Sequence, residues 1–244
     1  MTPSEPDAVT QDVVQLHGLR VRIDRRLMSE KIVESIERGR YEMGEAKMVA
    51  ALVRPGERVV EIGSCIGVLT ALIATRTPAE LVVAIEANPQ LQDYIAELHR
   101  LNGARTVIRQ ALVTPEPSDN PATFYLHEDI WASSPGRISP KRQIGTAEVP
   151  VLSLPEIAET WRPTLLIVDL EPFAAWTEAE GPPHALAGAD FRPFERVLLE
   201  LKPKRFPPAL VKRVFDHFSA QGFAYDQTAS SGPVVVFGRI PAAD

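Results

Sequence analysis

The chain has 244 residues, a formal net charge of -6, an apolar share of 45% and a charged share of 24%. These values suit a globular chain, exclude global disorder and argue against duplex DNA or long RNA as the main partner. A single cysteine, Cys65, excludes an internal disulfide and a cysteine-based zinc cluster, and is compatible with a reducing cytosol.

Residues 1–11 are rich in Pro, Ser and acids and read as a loose tail without the apolar centre of a secretory signal. No window approaches the roughly 18 apolar residues a membrane helix needs. The expectation is a cytoplasmic protein with no membrane partner. Short apolar runs over 13–23, around His17-Gly18, predict a hairpin. Helices are predicted over 29–38, stopped by Gly39, and over 44–53, stopped by Pro55-Gly56. The rhythm then changes to strands alternating with helices. Strands are expected over 58–62, 81–85, 106–112, 122–126, 148–152, 165–170 and 196–201. Helices are expected over 67–75, from Asn88-Pro89 to Leu101, over 154–160 and over 209–221. Segments 223–228 and 234–239 flank Ser230-Ser231-Gly232 as a closing hairpin, and 136–145 reads as a long loop.

This alternation predicts an α/β protein: a Rossmann-like, mostly parallel seven-stranded sheet with helices on both faces and a C-terminal antiparallel hairpin. Residues 1–54 are expected to pack on a core formed by 55–244, giving one structural domain. Lys202, Lys204, Arg205, Lys212 and Arg213 read as a solvated surface in so acidic a chain.

The chemistry centres on Glu61-Ile62-Gly63-Ser64-Cys65-Ile66-Gly67, a strand end, a glycine-containing turn and a helix start. Glycines let a ligand approach the backbone, and the helix start offers unpaired N–H groups. A dinucleotide site requires G-x-G-x-x-G. Here Cys65 takes the middle place and the third glycine is missing. Glu61 would repel a pyrophosphate but suits a cation such as the ammonium of a methionine moiety. Glu86 ends the next strand, where an acid can accept both hydroxyls of a ribose. Ala87, and Gln110-Ala111 on the following strand, complete the expected cofactor contacts. S-adenosylmethionine is therefore the expected cofactor, and no metal site is expected. Asp169 ends a parallel strand and Glu171 lies two residues on. They are the candidate catalytic carboxylates, with Asp169 also beside the cofactor. His127, Trp131, Ser133 and Ser134 are candidates to line the acceptor pocket. Phe173 and Trp176 are candidates for a lid, and His17 and His184 read as structural.

The runs 61–67, 84–89 and 101–103 resemble the FkbM-type methyltransferases, as do 122–126, 148–154 and 166–171. The resemblance spans about residues 40–203, with Tyr41-Glu42 also fitting. It implies methyl transfer to a hydroxyl of a small molecule, sugar or natural product, with no nucleic acid as partner. Two departures stand out: Cys65 where that family has Asn, and Ile167 and Pro172 where it has Lys and Gly. The alternative is a non-catalytic module that keeps the cofactor fold. The oligomeric state is left open.

Overall fold

The computed structural model describes residues 12–136, 141–169, 186, 188–201 and 207–240. The expected tail at 1–11, and Glu171, Pro172, Phe173, Trp176, His184, Lys202, Lys204 and Arg205, lie outside the described residues.

The main sheet has seven strands in the order β12-β13-β11-β10-β3-β4-β5. They are β3 (Arg58–Ile62), β4 (Leu81–Glu86), β5 (Val107–Gln110), β10 (Leu165–Val168), β11 (Arg196–Glu200), β12 (Phe223–Tyr225) and β13 (Val234–Arg239). The five strands from β5 to β11 run parallel, and β13 lies antiparallel to both β11 and β12. This is the Rossmann-like class I methyltransferase fold that the alternation of elements predicts, with its closing antiparallel hairpin.

Side-chain parity sorts the two faces. On β10, Leu165 and Ile167 join one core cluster, while Leu166 and Val168 join the other. The first face is covered by the hairpin β1 (Val13–Leu16) and β2 (Leu19–Arg22) together with α1 (Glu30–Glu37), α2 (Met43–Leu52), α3 (Val68–Arg76) and α4 (Gln92–Asn102). The second face is covered by α5 (Leu154–Trp161) and α6 (Pro208–Ala220). A strand buried on both sides must be apolar throughout, which is why β10 reads Leu-Leu-Ile-Val. Ser153 opens α5 with a reciprocal cap: its hydroxyl accepts from the backbone N–H of Glu156, whose carboxylate accepts from the N–H of Ser153.

Several expected strands differ in extent, among them the following three. The segment 106–112 breaks at Ala111 into β5 and β6 (Leu112–Thr114). The segment 148–152 breaks at Pro150, which has no N–H for a ladder, into β8 (Gln143–Val149) and β9 (Val151–Ser153). The third, 165–170, ends as a strand at Val168. β6 pairs with β9 in parallel, and β7 (Ala122–His127) pairs with β8 as an antiparallel hairpin. Both pairs lie outside the main sheet. The expected loop over 136–145 is shorter at its far end, because β8 already begins at Gln143.

Gly67 ties the first helix after β3 to its neighbour. A Cβ there would stand 2.9 Å from both His99 Nε2 and Ile95 Cγ2 on α4, and its φ is +79°. His99 is buried and bonds three ways: Nε2 lies 3.0 Å from the Gly67 carbonyl and 3.1 Å from Thr70 Oγ1, and Nδ1 lies 2.7 Å from Thr106 Oγ1. Burial lowers its pKa, the largest influence there. Gly67→Ala combines a left-handed φ with overpacking, and is expected to cost roughly 2–4 kcal/mol. Urea denaturation measures this, and an unchanged midpoint would show that α3 and α4 separate freely.

Candidate functional site

The parity that sorts the core also aligns three acids. Glu61 pairs across the sheet with Ala84 on β4 and with Ile167 on β10. Glu86 lies two residues beyond Ala84, and Asp169 two beyond Ile167. All three therefore face the α2–α3 side, at the carboxyl edge of adjacent strands. The ladder carries on past the strand end, with the Asp169 N–H donating to the Ile62 carbonyl at 3.0 Å. Ligands of open α/β sheets bind at this edge.

The loop after β3 is pinned from β4. The N–H groups of Gly63 and Ser64 both donate to the Ile85 carbonyl, at 2.8 and 3.1 Å. The Glu86 carboxylate accepts from the Cys65 N–H and from the Asn88 N–H, each at 2.8 Å. Glu86 thus shapes the loop from inside. Cys65 holds a left-handed φ of 47°, which a cysteine adopts at a cost and an asparagine or glycine adopts readily. Glu42, at the start of α2, holds another at 50°. At each of these non-glycine residues the surroundings impose backbone strain.

Charge is concentrated here. Glu61 is 1% exposed, and its Oε2 is buried with no hydrogen-bond partner among the described residues. Burial pushes its pKa well up, and the carboxylates of Glu42, Asp169, Glu86 and Glu45 push it further. Burial also raises Glu86 from the usual 4.5 to about 7, although the N–H groups of Asn88 and Cys65 pull against it. Tyr41 covers this cluster from the N-terminal side. Burial raises its pKa, and its hydroxyl hydrogen-bonds with the Cys65 side chain. Ser64 Oγ and Asn88 Nδ2 are also buried without partners among the described residues.

The expected loop residues Gly63, Ser64, Cys65, Ile66 and Gly67 thus gather beside Glu61 and Glu86. Ala87 and Ala111 are buried, and Gln110 stands opposite Glu86 in the register of β4 and β5. Asp169 belongs to the same edge, while Glu171 lies outside the described residues. Of the four acceptor-pocket candidates, three serve the loop that carries them: His127 Nδ1 accepts from the Asp129 N–H, Ser133 Oγ from the His127 N–H and Ser134 Oγ from the Gly136 N–H. Trp131 remains 40% exposed. His17 Nε2 lies 2.6 Å from the Tyr41 carbonyl.

Glu42 and Glu45 enter the site from a region expected only to pack on the core. The signal was Tyr41-Glu42 just ahead of a helix, but nothing in the sequence placed that helix against β3. No group of residues suited to holding a metal ion occurs among the described residues. No helix among them is long and apolar enough to cross a membrane.

Residues 12–117, less than half of the chain, match the family model of the TRM5/TYW2 methyltransferase domain. No curated protein matches. Among solved structures, the chain is similar to TYW2 of M. jannaschii in complex with AdoMet, at 16% identity and a TM-score of 0.48, covering 97% of this chain and 90% of that one. It is similar also to Trm5b of Pyrococcus abyssi, at 13% identity and a TM-score of 0.49, covering 96% of this chain and 57% of that one. A methyltransferase of Pyrococcus furiosus gives 13% and 0.49, covering 91% and 89%. These likenesses are of fold.

The family match overturns two expectations. The partial match is to the TRM5/TYW2 methyltransferase domain and not to the FkbM-type family. Two of the runs that suggested FkbM, the loop after β3 and the acid ending β4, are shared by many class I methyltransferases. Members of the matched family are tRNA methyltransferases, which also overturns a small-molecule or sugar acceptor and the exclusion of nucleic acid. Net charge misled because it is a whole-chain sum, whereas a polyanion meets one face.

The acids carry a pH signature. Glu61 and Glu86 keep their protons to higher pH in the folded chain than in the unfolded one. Between about pH 4.5 and 7 the folded state therefore binds more protons, and stability falls as pH rises through that window. The melting temperature of the ligand-free protein should drop across this range. Glu61→Gln should flatten the slope and raise the melting temperature at pH 8. A flat wild-type profile would mean that the acids are already compensated.

Proposed function

We propose that this chain is an S-adenosylmethionine-dependent methyltransferase acting on RNA, with tRNA the favoured substrate class. Glu61 carries the reading: a buried carboxylate with a hydrogen-bonding oxygen to spare, among other acids, at the carboxyl edge of a class I methyltransferase sheet. Buried carboxylates massed this way call for a cation. The cofactor's ammonium fits that demand, whereas a pyrophosphate would be repelled. The partnerless Ser64 Oγ beside Glu61 offers a further polar contact. Each Glu86 oxygen accepts one backbone N–H and retains a lone pair for a ribose hydroxyl. Gln110 and Ala111, across from Glu86, suit the adenine end.

When bound, the sulfonium supplies an activated methyl group. The protein's part is then alignment, worth up to roughly 7–11 kcal/mol in well-oriented systems. Asp169, on the same edge as Glu61, is the candidate to orient the acceptor or take its proton, adding about 10²–10⁴-fold. The acceptor class is supported by the match to a family of tRNA methyltransferases.

Calorimetry should detect S-adenosylmethionine and S-adenosylhomocysteine but not NAD. Glu61→Gln should weaken cofactor binding about tenfold or more, the scale of a hydrogen bond to a charged group. A bound cation favours the ionised acids, so binding should tighten as pH rises from 6 to 8, Glu86 titrating near 7. NAD binding without S-adenosylmethionine binding would overturn the cofactor assignment.

Incubation with isotopically labelled cofactor and bulk tRNA should leave the label in RNA. Asp169→Asn should lower turnover about a hundredfold while moving the melting temperature little. Cofactor binding with no transfer to any RNA would leave a binding module.

A further inference from the structure

Trp131 stands one ring away from the cofactor loop. Its indole stacks on Tyr41 with centroids 6.2 Å apart and planes within 7°. Tyr41 is buried and hydrogen-bonds Cys65 of that loop. The Lys31 ammonium lies 5.2 Å from the indole centroid. Lys31, in the first turn of α1, and Arg40, beyond its end, are both exposed.

The segment holding Trp131 is braced. Its neighbour Ile130 is buried in the same core cluster as Tyr41 and Ile66. Ser134 bridges back to Tyr125 through two backbone hydrogen bonds of 2.9 and 3.1 Å, and the His127 N–H donates to Ser133 Oγ. The braced segment thus presents an indole that is 40% exposed beside a cation.

We propose that Trp131 is the stacking platform for an unpaired base of the RNA acceptor, with Lys31 meeting the adjoining phosphate. The inference rests on the RNA reading above. A nucleotide joins a neutral π-face to an anion, which is the pairing that an indole beside an ammonium recognises. The acids suit the same occupant. Glu61, Glu86 and Asp169 repel phosphate from the sheet edge, so the backbone is held at the rim while a neutral base reaches inward. On stacking, the flexible Lys31 side chain leaves the ring face and moves to the phosphate.

The test uses the full chain, bulk tRNA and labelled S-adenosylmethionine. Trp131→Ala should raise the KM for tRNA about tenfold or more, with kcat changed less. Trp131→Phe should recover most of the loss because the π-face returns. The S-adenosylmethionine Kd should stay within about twofold in both. Lys31→Gln should weaken tRNA binding and lower the slope of log K against log salt by about one, as loss of one phosphate contact does. Should Trp131→Ala fail to fold, Trp131→Leu keeps apolar bulk without the π-face and serves the same comparison. A wild-type KM in the alanine or leucine variant, or a KM change matched by loss of cofactor binding, would overturn the stacking role. No transfer to RNA by the wild-type protein would instead overturn the RNA reading itself, and the stacking role with it.

Discussion

Everything at the carboxyl edge depends on the two hydrogen bonds that Glu86 accepts from the backbone of Cys65 and Asn88. Those N–H groups belong to two different connections, one after β3 and one after β4. A single carboxylate sets their separation. It does so while buried, where ionisation is disfavoured, and the N–H groups offset part of that cost. The left-handed turn at Cys65 is held by the same contact. A shorter acid on β4 would not reach both donors from the same strand position.

The second organising fact is that like charges are brought together. Glu42 and Glu45 come from the N-terminal helices, and Glu61, Glu86 and Asp169 from three neighbouring strands. Folding puts them within reach of one another although each raises the others' cost. Such an arrangement trades stability of the free protein for affinity toward a cation, the exchange usual at binding sites.

Much of the fold was legible because periodicity is a local property. The apolar run of β10 and the alternation from β3 to α4 each place an element without knowledge of its neighbours. Glu61, the glycine loop and Glu86 were legible for the same reason, since each sits at a strand end. Breaks at Ala111 and Pro150 were not, because a strand that changes sheets keeps its local pattern. The contribution of Glu42 and Glu45 was invisible too, as it depends on where α2 packs. Family was the hardest to read. Class I methyltransferases share the residues that bind the donor, whereas the acceptor is chosen by surfaces that periodicity does not reveal.

The β7–β8 hairpin pairs with no strand of the main sheet. Two-stranded ribbons are marginal on their own, so this one is kept in place by side chains such as Phe124, Leu126 and Ile130 sunk into the surrounding clusters. Its tip can therefore lengthen, shorten or change composition without altering the register of any strand that carries the acids. The frame that holds the acids is thus insulated from change in the ribbon beside it.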